Sequence, residues 1–326
     1  MRKRKDIIVG VDMGGTSLRA LVVDGKDKVL AEEKMPTNPS QKATRLVAGV
    51  AALVERAVHA AKLTRSDLRA VSVGAPGTID WHGVVLRAPN LGWKDVPLGQ
   101  QLKARLGVPV VVDNDVNAGV LGEHALGAGS GVQEMAGIFV GTGIGGAIIA
   151  RGRLYKGSSG AAGEIGHTVL MVDGPRCSCG HRGCAEALAS RTAMERDVRA
   201  AIKAGRPSAV SAIMKARHKQ RMTSSVIHAA LNQKDAVMRE VMERAQHYLG
   251  ILVANVVNLL DPERVVIGGG IAERMGEDFV APIRTTACEY FLRQADARRV
   301  KILPGTLGDN AGALGAVVLA RLRLDK

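Results

Sequence analysis

The chain has 326 residues, more than the roughly 100–200 of one domain, so two domains are expected. Its 46% hydrophobic content, 39 glycines and 11 prolines exclude a disordered or fibrous chain and describe a folded, turn-rich one. The 45 Lys and Arg against 31 Asp and Glu leave +14, which favours anionic partners such as nucleotides or phosphorylated metabolites; with only three Phe, three Tyr and two Trp to stack on bases, dedicated nucleic-acid binding is disfavoured.

The basic start "MRKRK" runs into strand-like "DIIVGV" with no secretory apolar core, and no apolar run nears the roughly 20 residues that cross a bilayer. A cytoplasmic protein without a membrane partner is expected. "IIVGVDMGGTSLRALVVD" then reads as strand, glycine turn, strand. Ala43 to Leu63 has helical periodicity, "LRAVSVGAPGTID" gives a strand and turn, "VPLGQQLKARLG" a helix, and "VPVVVDND" a strand. "MAGIFVGTGIGGAIIARG" repeats the strand–turn–strand plan, with strands at Ile138–Val140 and Ala147–Ala150. Leu188 to His228 reads as mostly helical, Asp235 to Leu260 as one long helix, "RVVIGGGIAE" as a strand entering a glycine turn, and "NAGALGAVVLARLRL" as a closing helix. Strands alternating with helices, in two similar halves, predict an α/β fold of two domains.

Glycines at strand ends let backbone N–H groups approach an anion. "DMGGTS" offers Gly14, Gly15 and the Thr16 hydroxyl, with Asp12 suited to Mg²⁺ through water; an ordinary hairpin turn is the alternative. "GTGIGG" satisfies G-x-G-x-x-G, but "AIIA" after it is a strand and not the helix a dinucleotide site needs. Gly141, Thr142 and Gly143 therefore read as a second phosphate-holding hairpin. Gly268 to Gly270 fit a flat ligand lying close or a plain strand-to-helix turn. No G-x-x-x-x-G-K-[ST] sequence occurs.

"VVVDNDVNAG" delivers Asn114 and Asp115 at a strand end, where α/β sheets bind ligands. Asn114 could bond sugar hydroxyls and Asp115 could accept a proton as general base, or both could cap a helix. "GAAGEIGH" supplies Glu164 and His167, and "CSCGHRGCAE" supplies Cys177, Cys179, Cys184 and Glu186. C-x-C-x₄-C offers three thiolates, and His167 is the natural fourth ligand of a closed, structural zinc site; reduced buried cysteines are the alternative. Neither a DNA-reading finger nor a redox C-x-x-C fits this spacing.

Taken in order, "DMGGTS", "APGTID", "APNLGWKDVPL", "NDVNAGVLGE", "GTGIGG", "GAAGEIGHT", "CSCGHRGCAEALAS", "VVIGGG" and "GDNAGALGA" resemble the ROK family (repressors, open reading frames and kinases), nearest to its bacterial glucokinases. The resemblance implies an actin-like ATPase (ribonuclease H-like) fold with two α/β domains around a nucleotide and sugar cleft. The first would be 1–113 completed by the C-terminal helix 305–326, and the second 114–304 with the zinc loop. It implies transfer of the ATP γ-phosphoryl to the 6-hydroxyl of glucose, with Asp115 as base and Gly77, Asn114, Glu164, His167 and Glu186 as sugar contacts. Asp12, Gly14 to Thr16 and Gly141 to Gly143 would hold phosphates with Mg²⁺, Gly268 and Gly269 would flank adenosine, and His167, Cys177, Cys179 and Cys184 would hold Zn²⁺. Another hexose or amino sugar (N-acetylmannosamine, N-acetylglucosamine, fructose, allose) fits the same residues, as does a sugar-responsive regulator. A homo-oligomer, dimer or tetramer, is also implied. The chain departs from the family in carrying Ser17 where Lys commonly follows "GGT". Only "MRKRKD" precedes the first strand, leaving no room for a helix-turn-helix domain, and Asp115 favours a kinase over a regulator.

Overall fold

Short β-branched runs punctuated by glycine build two five-stranded sheets of one plan. The computed structural model describes residues 6–15, 17–38 and 41–325, so Thr16 lies outside the described residues. Contacts divide the chain into two compact units: Met1–Ser130 with Leu154–Ala162 and Asn310–Lys326, and Gly131–Arg153 with Gly163–Asp309.

In the first unit, β1 (Ile7–Met13) turns back at Gly14 and Gly15 into β2 (Ser17–Val23), which pairs with β3 (Val29–Pro36). Helix α1 (Ala43–Ala60) follows and buries Leu46, Val47, Val50, Leu53, Val54 and Ala57, a helical-period stripe. Strand β4 (Leu68–Ala75) adds parallel to β1; a small antiparallel sheet of β5 (Thr78–Ile79), β6 (Val85–Ala88) and β7 (Trp93–Val96) intervenes. Helix α2 (Leu98–Leu106) leads to β8 (Val110–Asn114), parallel to β4, and α3 (Asp115–Leu126) starts at once. The sheet order is β3-β2-β1-β4-β8.

The C-terminal helix, Ala311–Leu324, packs on α3 and β1. A Cβ on Gly315 would lie 1.6 Å from the Ala118 carbonyl oxygen, and one on Gly122 would lie 2.5 Å from that of Ala311. The two helices therefore touch backbone to backbone. That contact holds α3 in the first unit, so the expected break at 113/114 falls inside this unit.

The second unit opens with β9 (Met135–Val140) and β10 (Ile144–Ala150); the short β11 (Arg153–Tyr155) follows, where the chain passes into the Leu154–Ala162 segment. Helices α4 (Ala185–Ala189), α5 (Arg191–Lys203), α6 (Val210–Ala216), α7 (Ser224–Asn232) and α8 (Ala236–Leu260) precede β12 (Arg264–Gly268). Then come α9 (Gly270–Met275), α10 (Glu277–Glu289), α11 (Asp296–Arg299) and β13 (Lys301–Pro304). The order β11-β10-β9-β12-β13 repeats that of the first sheet, again with a glycine hairpin between its first two strands and parallel strands beyond. Fully buried Phe279, Val280 and Ile283 of α10 pack with Leu249, Val253 and Val257 of α8 in its core. The stretch Leu188 to His228 is mostly helical, as expected, and is divided among four helices by Gly205 in a left-handed turn before Pro207 and by the turn at His218.

Candidate active site and metal centre

The C-terminal ends of β1, β4 and β8 collect one polar edge in the first unit. Asp12, Gly74 and Asp113 stand in register on adjacent parallel strands, the place where open α/β sheets take ligands. The Asp12 carboxylate lies against the first turn of the C-terminal helix: a Cβ on Gly312 would sit 2.7 Å from its Cγ. Beside it, the Gly14 carbonyl is turned away to accept from Thr37 Oγ1 at 2.8 Å, and Gly15 faces open space.

Asn114 is the N-cap of α3. Its Oδ1 accepts from the N–H of Val116 at 2.9 Å and of Asn117 at 3.0 Å. Its Nδ2 donates to the Gly77 carbonyl at 3.0 Å, which leaves a second amide proton to give. The capping reading and a ligand role are thus compatible in one side chain. Asp115 occupies the first position of α3, half-buried.

Asp113, one residue before, is buried and takes four donors. Lys156 Nζ and Arg323 Nη2 each reach Oδ2 at 2.9 Å, while Asn117 Nδ2 at 3.0 Å and the Asn114 N–H at 2.8 Å reach Oδ1. The Lys156 ammonium also stands 4.7 Å from the Trp81 ring centroid. Sequence reasoning missed this cluster. Its one signal was Asp113 itself, an acidic residue ending an apolar strand, which requires a cation partner if buried.

In the second unit, the turn Gly141–Gly143 joins β9 to β10. Glu186, in the first turn of α4, reaches it: Oε2 accepts from the Ile144 N–H at 3.1 Å, and a Cβ on Gly143 would lie 2.2 Å from the same oxygen. Oε1 accepts from Ser178 Oγ at 2.7 Å and from the Cys177 thiol at 3.6 Å. Gly268 lies against the Phe139 ring and Gly269 against the Val140 carbonyl, where the chain passes from β12 into α9.

The ligand atoms of His167, Cys177, Cys179 and Cys184 all lie within 4.8 Å of one another. Backbone bonds assemble them, since Ala185 N–H donates to Thr168 O at 2.9 Å and Cys177 N–H to His181 O at 2.8 Å. A tetrahedral zinc with Zn–S of about 2.3 Å and Zn–N of about 2.0 Å puts sulfurs about 3.7 Å apart and sulfur to nitrogen about 3.5 Å apart. Cys179 Sγ to Cys184 Sγ is 3.7 Å, and Cys177 Sγ to His167 Nδ1 is 3.6 Å. The donor set fits the ion. Burial pushes the Cys184 thiol up to about 12 and raises Cys177, whereas the His181 backbone N–H is the first cause bringing Cys179 down to about 6. His167 turns its other nitrogen, Nε2, to Glu164 Oε2 at 3.9 Å.

Two sheets of one strand order, each opening on a glycine hairpin, define the actin-like ATPase class. Within it, the ROK family model matches residues 8–323, and the chain belongs to the ROK family. It is 36% identical over 310 residues to a glucokinase of Halalkalibacterium halodurans, covering 94% of this chain and 92% of that protein. It is 31% identical to a putative xylose repressor of a Caldicellulosiruptor species, covering 98% of this chain and 79% of that protein. A ROK family glucokinase from Streptomyces griseus, solved in complex with glucose and AMPPNP, superposes with a TM-score of 0.85 at 33% identity; 97% of this chain and 99% of that one are covered. Among the described residues, no helix is long and apolar enough to cross a membrane.

Proposed function

We propose that this protein is an ATP-dependent glucokinase that phosphorylates the 6-hydroxyl of glucose. The observation that carries the reading is the pair Asn114 and Asp115 at the end of β8, with the amide anchored on α3 and Gly77 and the carboxylate set beside it. Asp115 accepts the 6-hydroxyl proton as the oxygen attacks the γ-phosphorus, and the bond from that phosphorus to the β–γ bridging oxygen breaks, releasing ADP. The remaining Asn114 amide proton, Gly77, Glu164, His167 and Glu186 orient the sugar. Gly14, Gly15, Thr16 and the turn Gly141 to Gly143 hold the phosphates, and Gly268 and Gly269 flank the adenosine. Asp12 would hold Mg²⁺ through water, and the ion would neutralise charge on the phosphates. Zn²⁺ on His167, Cys177, Cys179 and Cys184 supplies a structural clamp on the loop that carries Glu186. Cys177 donates to Glu186 Oε1 as a thiol; as a zinc ligand it would not, and Oε1 would then face Ser178 and a sugar hydroxyl.

An ATP donor places the reaction in the cytoplasm, and we expect a dimer or tetramer. Other hexoses and amino sugars fit the same donors and acceptors. The repressor relative favours a second reading, a sugar-responsive regulator whose +14 charge meets DNA. A hexose panel with coupled ADP detection tests the proposal. Turnover of glucose is expected; metal-loaded protein that turns over no hexose and shows a salt-dependent shift of duplex DNA would overturn it in favour of the regulator.

A further inference from the structure

The start of α5 occupies two of the three carbonyls of the Gly141–Gly143 turn, and the turn itself occupies the third. Arg191 N–H donates to Gly141 O at 3.0 Å, Thr192 Oγ1 to Thr142 O at 2.7 Å, and Gly141 N–H to Gly143 O at 2.9 Å. With the acceptors so engaged, the N–H groups of Thr142 and Gly143 have no acceptor among the described residues. The guanidinium of Arg191 then adds a charge to the same turn, its Nη2 donating to Thr142 Oγ1 at 2.6 Å. A hydroxyl whose lone pair is taken by a guanidinium has its own proton left to give, so Thr142 becomes a donor as well.

Arg191 has no carboxylate of its own among the described residues. The acid whose charge acts on it, buried Glu195, is taken by Arg199 Nη2 at 2.8 Å, Arg221 Nε at 3.0 Å and the Met222 N–H at 3.1 Å. Burial first, and then the charge of Arg221, hold the Arg191 guanidinium below its ordinary value, with Glu195 offsetting them only in part. A half-buried cation beside unused N–H donors is completed by an anion. A neutral hexose offers none, whereas a phosphate matches the fork of a guanidinium.

We propose that Arg191 binds the terminal phosphates of the nucleoside triphosphate donor, acting with the Thr142 hydroxyl and the turn's amides as one cradle. The proposal rests on the reading of Gly141 to Gly143 as a phosphate-holding turn. The test is two-substrate kinetics on Arg191→Met, Arg191→Lys and Thr142→Val. Calorimetric binding of a non-hydrolysable ATP analogue and of adenosine accompanies it, with circular dichroism to confirm folding and inorganic tripolyphosphate as a competitor of the unaltered enzyme. Arg191→Met is expected to raise KM for ATP by about ten- to a hundredfold, with KM for glucose and adenosine binding unchanged. Arg191→Lys should recover only part of the loss, and tripolyphosphate should compete with ATP. If Thr142→Val weakens the ATP analogue while Arg191→Met does not, the turn's role stands and that of Arg191 falls. If neither variant weakens it and tripolyphosphate does not compete, the phosphate role of the turn falls, and the proposal with it. Equal losses for ATP, adenosine and glucose would make Arg191 a structural residue and likewise overturn the proposal.

Discussion

Replacing Lys156 by Met should destabilise the protein by removing one cation from buried Asp113. Asp113 is 1% exposed and receives two cations and two neutral donors. Breaking a buried ion pair outright costs about 3–5 kcal/mol. Here Arg323 and both neutral donors remain, so the loss should be smaller, about 2–3 kcal/mol, including the cation–π contact with partly exposed Trp81. At about 2–4 °C per kcal/mol for a unit of this size, the first calorimetric transition should fall by about 5–10 °C. Because the Asn114 N–H is anchored on Asp113 Oδ1, kcat should fall with it while metal content stays constant. Asp113→Asn alone leaves Lys156 and Arg323 facing a neutral amide and should cost as much or more. In the double variant the second change should cost less than it does alone, with a coupling of about 1–3 kcal/mol. Losses that simply add, to within about 0.5 kcal/mol, would refute the assignment of this cluster as one electrostatic unit.

Asp115→Asn should lower kcat by about 10²- to 10⁴-fold with glucose binding retained in calorimetry; substantial residual turnover would exclude Asp115 as the base. Cys184→Ser, or a strong chelator on the unaltered protein, should release the metal and raise KM for glucose more than KM for ATP, as read by metal analysis beside kinetics. Tight glucose binding by the metal-free protein would contradict the link through Glu186. Gly143→Ala should displace the Glu186 carboxylate, since the added Cβ would lie 2.2 Å from Oε2, and it should impair glucose use by about tenfold or more without loss of metal.

Much of the fold was legible because both halves write the same instruction locally: β-branched run, glycine turn, β-branched run. The Cys and His cluster was legible for a similar reason, since three of its four residues lie within eight positions of one another. The small sheet β5 to β7 was not, because strands of two to four residues carry too little alternation to register. Nor were the cationic partners of Asp113, which are separated from it by 43 and 210 positions and meet it only through tertiary packing. Asn114 shows a different limit. Helix cap and ligand donor were read as rivals, and the amide has enough hydrogen-bonding groups to serve as both.

The glycine contact between α3 and the C-terminal helix also bears on the order in which the protein forms. In chain order β1 precedes the second unit, and the helix that covers Gly10, Gly122 and Ala118 follows it. The second unit, encoded in the middle, holds nearly all of its own core before that helix exists. Its folding can therefore run ahead, while the unit that bears Asp115 stays open along one face of its sheet until that helix is made. The sheet face beside Asp115 is in this sense completed from both sides of the second unit, by helices far apart in the chain.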